Sequence, residues 1–266
     1  MRRIWAGAWT QGYWRSQERY LNLFARAGDA PVIAEASTFY TQAPLFAHVP
    51  ERIHGFNPKA RFVYVMRDPV ERTISHYWHH VRWWGERRPM LRALQAEPHY
   101  RHVSHYARQL SAYLRCFERE RIYVLTLEAL LSDPAAELSR LYAWLGVDAG
   151  FRPPTLGVPN NVLPAVIYQT RGYSLVQRFL GTPLYREIAP FIPERLRRAA
   201  SALIAGRPVR PAEIDVSAVR GFLRPEQQYQ TQELARLLNR DFPEWQTLNG
   251  CDDSRADPAL ALDPIP

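Results

Sequence analysis

Cysteine is nearly absent from this chain. Cys116 and Cys251 are the only two in 266 residues. They lie far apart and outside any CxxC pair. A single disulfide stays open, but a disulfide framework and a cysteine-based metal site are excluded, and a reducing compartment is favoured. Lysine is scarcer still: Lys59 stands alone among 34 lysines and arginines. No stretch approaches the roughly 18 apolar residues of a membrane helix. Two arginines follow Met1 without an apolar run behind them, which argues against a secretory signal. Repeats and low-complexity segments are missing as well. These absences lead to the expectation of a soluble, cytoplasmic protein without a membrane partner.

What is present is a basic and aromatic chain. The net charge is +8, with 47% hydrophobic and 12% aromatic residues, enough for one large domain with a buried core. Arginine in place of lysine arises from coding bias, or from selection for planar, bidentate recognition of oxyanions. The charge suits a nucleotide or an acidic substrate. Nucleic acid is the competing partner, but zinc-finger spacing, RNP-like aromatics and basic runs are all missing, so no nucleic-acid partner is expected.

Periodicity predicts an amphipathic helix over 13–27, ending near Gly28, and a short buried strand over 31–37. Helical turns follow over 41–57. The segment RFVYVMR (61–67) is the strongest strand, apolar on both faces as in a covered parallel sheet. A helix begins directly after it. IYVLTLE (122–128) repeats the strand pattern, and a helix bounded by Asp133–Pro134 and Gly146 follows. A Pro/Gly/Asn-rich loop is expected over 146–170, with helices near 173–181, 193–205 and 224–240. The tail over 250–266 is expected to be disordered. Strands alternating with helices predict an α/β fold built on a parallel sheet flanked by helices.

One segment carries chemistry. The strand over 61–67 delivers Arg67 at its carboxyl end, the edge where open α/β sheets bind ligands. Asp68 is a good N-cap, Pro69 fits the first helical position, and Glu71 completes a D-x-x-E capping box. Ser75 falls about two turns into that helix. An arginine fork and a hydroxyl near a helix mouth suit a phosphate monoester. The competing reading is a capped helix with surface ion pairs, each worth less than about 1 kcal/mol.

The spacing Arg67-Asp68-Pro69-x-x-Arg72-x-x-Ser75-x-Tyr77 resembles the 3′-phosphate motif of sulfotransferases that use 3′-phosphoadenosine 5′-phosphosulfate (PAPS). It is most similar to the carbohydrate enzymes related to heparan sulfate sulfotransferases, bacterial members included. VIAEASTFY, the block HYARQ…LYAWLGV and the ending LRPEQQYQTQELARLLNRDFPEWQ resemble further parts of that family, so the likeness covers most of residues 13–246. It implies that Arg67 and Ser75 hold the 3′-phosphate of PAPS, while Arg72 and Tyr77 tie the helix into its surroundings. Arg171, after the Pro/Asn-rich loop, is a weaker cofactor-binding candidate, and Arg152 weaker again. The implied reaction moves a sulfuryl group to a hydroxyl or amine of a small-molecule or carbohydrate acceptor, with no metal.

The chain also departs from the family. The glycine-rich P-K-x-G-T-T loop that cradles the 5′-phosphosulfate has no counterpart before Glu35, and MRRIWAGAWTQGYW resembles the stretch just after the family's catalytic glutamate. The expectation is therefore a single domain over 1–249, N-terminally incomplete, whose P-loop-type sheet lacks its first strand. A misplaced start, or a truncated, inactive nucleotide-binding homologue, would each explain this. Glu35 is the one carboxylate nominated as catalytic base; the plainer role is ordering its loop. His76, His80 and Trp84 form a helical stripe expected to pack. Trp78, Trp83 and Trp84 suit either a sugar-stacking surface or a core.

Overall fold

Strand β1 (Phe62–Met66) and strand β2 (Ile122–Thr126) pair in parallel, with Phe62 opposite Ile122 and Met66 opposite Thr126. A parallel pair needs a crossover, and the chain supplies it as four helices: α3 (Pro69–Trp83), α4 (Met90–Ala96), α5 (His99–His102) and α6 (Tyr106–Leu114). Before β1 come α1 (Gln17–Asn22) and α2 (Val49–Phe56); after β2 come α7 (Leu127–Ser132) and α8 (Pro134–Leu145). A short antiparallel pair, β3 (Ile167–Tyr168) with β4 (Pro208–Val209), precedes the long α9 (Ser217–Leu238). The computed structural model describes residues 17–158, 162–168 and 208–248, with isolated positions 182, 192, 193, 195 and 196. The fold class is α/β, as the strand–helix alternation requires.

The described residues belong to two compact units. The first comprises residues up to Glu35, His79–Arg87 and Val166–Val209, and the second Ala36–Trp78, Arg88–Ala165 and Arg210 onward. In the second, one face of the sheet packs on α6. The Phe62 ring meets Tyr113 and Phe117 edge-on at 4.9 and 4.6 Å, and Tyr64 meets Tyr106 at 5.9 Å. Met66, Leu110, Leu223, Leu234 and Trp245 are fully buried in this unit, with α9 packed on α4 and α6.

Several expectations need correction. Residues 31–37 form no strand; the stretch is irregular and Ile33 is 51% exposed. A strand exists only through a neighbour that takes its backbone hydrogen bonds, and neither described sheet includes this segment. β1 is not covered on both faces: Val63 and Val65 are 43% and 50% exposed. Among the described residues β1 is an edge strand, so its apolar sequence exceeds its burial. β2 ends at Thr126, whose hydroxyl accepts from the Ala129 amide and starts α7 at Leu127. The helix at 224–240 begins seven residues early, at Ser217, and runs through Pro225. Pro225 removes one helical N–H and crowds the carbonyl four residues back, yet the helix continues through it. The four residues 13–16, the helices at 173–181 and over most of 193–205, Arg171, Cys251 and the tail over 250–266 lie outside the described residues.

The helix over 134–145 follows expectation. Asp133 accepts from the Ala136 amide, and Gly146 closes the helix with φ of 76°, a left-handed cap suited to glycine. No helix among the described residues is long and apolar enough to cross a membrane.

Candidate functional site

The strand end carrying Arg67 is fixed by its backbone. The Arg67 amide donates to the Tyr106 hydroxyl at 3.3 Å, and that hydroxyl donates to the Arg67 carbonyl at 2.8 Å. Burial pushes the Tyr106 hydroxyl up to about 12, against the opposing pull of Arg72 and the Arg67 backbone bond. It therefore stays protonated and keeps donating. Arg67 itself is half-buried at the carboxyl end of β1.

Asp68 is the hub of the turn. Its buried carboxylate accepts from the Val70 and Glu71 amides at 3.0 and 3.3 Å, which confirms the N-cap. It also accepts from the Thr247 amide at 3.1 Å and the Thr247 hydroxyl at 2.5 and 2.6 Å. The reciprocal half of the capping box is absent. The Asp68 amide donates instead to Glu128 at 2.8 Å, and Glu71 turns away to accept from Arg220 Nε and Nη2 at 3.1 and 2.9 Å. Glu128, in the first turn of α7 just after β2, takes the donor that Glu71 would have served. Its other oxygen accepts from the Trp245 indole at 3.2 Å. Burial raises both glutamates above the usual carboxylate range: Arg220 opposes this for Glu71, and the Asp68 amide opposes it for Glu128.

This arrangement has a chemical consequence. A helix N-terminus binds anions through its free amides, but here they are used. Pro69 has no N–H, Val70 and Glu71 donate to the Asp68 side chain, and the Arg72 amide donates to the Asp68 carbonyl at 2.8 Å. An anion at this corner must be held by side chains.

The side chains in place are cationic and hydroxylic. Ser75 is half-buried on α3, about 9 Å along the helix from Pro69. Arg72 lies one turn before it. Burial lowers the Arg72 guanidinium from its ordinary value, while the hydroxyls of Tyr106 and Tyr64 oppose that. Its Nη1 lies 3.1 Å from His76 Nδ1. Among the described residues no carboxylate is paired with it. The half-buried Arg72 cation therefore raises the positive potential at this corner, which an incoming anion would lower.

The other candidates are used locally. Glu35 is exposed, in the first unit, and accepts from the Tyr20 hydroxyl. Arg152 donates to the carbonyls of Ala149 and Phe151 and to the Ser139 hydroxyl, bracing its own loop. Tyr77 and Trp78 are buried, and the Tyr77 hydroxyl donates to the Arg88 carbonyl at 2.7 Å. Trp83 is 48% exposed beneath the Arg82 guanidinium. His80 and Trp84 rings lie 6.2 Å apart, the packing expected of the stripe. Sequence reading missed Tyr106, Glu128, Thr247 and Arg220 as supports of the turn. Tyr106 and Glu128 fall inside a family-like block, whereas Arg220 and Thr247 lie just outside one, and all four act across distances that spacing does not reveal.

Known proteins resemble this chain in sequence and in fold. Heparan sulfate glucosamine 3-O-sulfotransferase 6 of Mus musculus is 31% identical over 150 residues, covering 51% of this chain and 41% of the mouse protein. Heparan sulfate glucosamine 3-O-sulfotransferase 3B1 of Homo sapiens is 26% identical over 141 residues, 48% of this chain and 34% of the human protein. The chain thus spans less than half the length of these relatives. A solved sulfotransferase from Alicyclobacillus acidocaldarius shares the fold with a TM-score of 0.56 and 23% identity, covering 87% of this chain and 74% of the other. The model of the Sulfotransferase family matches residues 10–151, a stretch that includes the strand, the Asp68 turn and all of α3. With more than half its length in that match, this chain belongs to the sulfotransferase family.

Proposed function

We propose that the chain binds PAPS through side chains at the β1–α3 corner and transfers its sulfuryl group to a hydroxyl or amine of a carbohydrate acceptor. The observation that carries this reading is the corner itself. Tyr106 and Asp68 pin the backbone that presents Arg67, the helix amides are consumed, and Arg72 leaves a half-buried positive charge with no carboxylate paired to it among the described residues. Arg67 and Ser75 would hold the 3′-phosphate, the group that separates PAPS from an ordinary adenylate. Arg72 adds positive potential from within the helix.

Sulfuryl transfer parallels phosphoryl transfer, in which positioning and charge stabilisation carry most of the catalysis. PAPS supplies the activated sulfuryl group. The chain's residues fix the far end of the donor, and Glu35, held by Tyr20, is our nominee to take the acceptor's proton. Arg171 is a second proposed donor contact. The carbohydrate acceptor rests on the names of the relatives, which act on heparan sulfate glucosamine. We place these roles in one sulfotransferase-like domain over 1–249, working in a reducing, cytoplasmic setting without a metal in the transfer step.

Calorimetry with 3′-phosphoadenosine 5′-phosphate tests the assignment. Arg67→Ala should lose on the order of 1.5–3 kcal/mol of binding, more than tenfold in affinity. Unchanged affinity discards the site. Transfer of labelled sulfate from PAPS to heparan-type oligosaccharides separates catalysis from binding alone.

A further inference from the structure

A second cluster of functional side chains lies in the same unit, on residues that the sulfuryl-transfer reading does not use. His102 ends α5, and His105 directly precedes α6. The two form an H-x-x-H turn. Glu226 comes from α9, far away in sequence. We propose that His102, His105 and Glu226 are a binding site for a zinc-class divalent metal ion that clasps α9 to the α5–α6 turn.

The geometry is close to what such an ion needs. One ligand atom from each residue lies within 4.8 Å of the others. Tetrahedral zinc, with bonds of about 2.0–2.2 Å to nitrogen and oxygen, places ligand atoms about 3.3–3.5 Å apart. His105 Nε2 and Glu226 Oε1 are already 3.0 Å apart, and the remaining spacings close with side-chain shifts of about 1 Å.

The strongest indication is the state of His105. Its side chain is only 7% exposed, and Nε2 is fully buried without a hydrogen bond of acceptable direction. The short contact with Glu226 is one of distance, not of alignment. A buried imidazole nitrogen left in this state carries a desolvation cost, and metal coordination would satisfy it.

The surroundings hold the ligands in place. Glu226 Oε2 accepts from Arg101 Nη1 at 2.5 Å, which leaves Oε1 for the histidines. Arg101 lies over the Phe222 ring at 5.6 Å. Ligating carboxylates are commonly held by such an outer partner. Gln109 donates to the His102 carbonyl at 3.1 Å, and Ser104, between the two histidines, bonds to Thr73 at 2.8 Å. Both ends of the turn are therefore anchored. Arg101 and Arg108 lie close to His102. Their charges also oppose a cation, which points to moderate affinity.

Two imidazoles and one carboxylate favour zinc or its transition-metal neighbours over magnesium or calcium, which prefer oxygen. Three protein ligands leave a fourth position for water.

The full chain, stripped with EDTA and dialysed, is titrated with zinc by calorimetry and with cobalt by visible absorption. A single equivalent should bind, the cobalt spectrum should be tetrahedral, and zinc should raise the melting temperature. His102→Gln leaves the buried His105 in place and should lower affinity at least about tenfold and abolish the thermal shift. Glu226→Gln, checked for native circular dichroism, should do the same. Failure of the wild type to bind stoichiometrically, or equal binding by His102→Gln, would overturn the proposal. The readouts involve neither PAPS nor transfer activity, so they stand apart from the function proposed above.

Discussion

Replacing Asp68 by alanine should destabilise the chain more than any exposed substitution, and the structure sets the size of the effect. The carboxylate accepts from Val70 N, Glu71 N, Thr247 N and Thr247 Oγ1. Losing an N-cap costs about 1 kcal/mol. Orphaning the Thr247 amide and hydroxyl at a part-buried position adds about 1–3 kcal/mol between them after some resolvation. The expected loss is about 2–4 kcal/mol, a large share of the 5–15 kcal/mol typical of a domain. Urea unfolding followed by tryptophan fluorescence reads it as a lower midpoint at unchanged slope. Thr247→Val, which removes one donor and keeps the cap, should lose about 1 kcal/mol. An Asp68→Ala loss below about 1 kcal/mol would refute the reasoning, since loss of the cap alone reaches that size.

Other perturbations follow from the same contacts. Arg220 and Glu71 pair with side chains only 14% and 13% exposed, so Arg220→Met should cost about 3 kcal/mol by stranding the carboxylate, and adding Glu71→Leu should restore most of it; chemical denaturation of both variants decides. Gly146→Ala places a side chain at φ of 76° and should lower stability by about 1 kcal/mol, read from the melting temperature. For His105, burial holds the folded-state value near 4 against 6.5 for the free residue, with His102 and Arg101 adding to the effect and Glu226 opposing it. The neutral form is favoured by folding, so this stability is complete above about pH 6.5 and lost as pH falls towards 4, by up to about 3 kcal/mol. A His105→Gln variant should show a shallower decline over that window in pH-dependent urea melts, and an identical slope would contradict the assignment.

The sequence made the local chemistry of the corner legible because it is local. Asp68 as a cap, Pro69 at the first helical turn and the Asp133–Gly146 helix all depend on neighbours a few residues away. The failures were non-local. Glu71 reads as the partner of the Asp68 amide until Glu128 arrives from the start of α7 and Arg220 from α9. Val63 and Val65 read as buried because apolarity in a strand does not reveal how many neighbours it has. The segment around Ile33 is β-branched and apolar, yet it forms no strand without one. Pro225 reads as a helix start, because proline suits the first turn, yet the helix already runs from Ser217. Arg72 reads as a fastening for the helix, and only the environment of its guanidinium shows a positive charge with no carboxylate against it among the described residues.

The central claim is that side chains at the β1–α3 corner select a 3′-phosphate. Its most direct test compares adenosine 3′,5′-bisphosphate with adenosine 5′-phosphate by calorimetry, in the wild type and in Arg67→Ala. The account predicts a clear preference for the bisphosphate in the wild type, on the order of tenfold or more, and its near disappearance in the variant. A preference that survives in Arg67→Ala, or a wild type that does not discriminate, would contradict it.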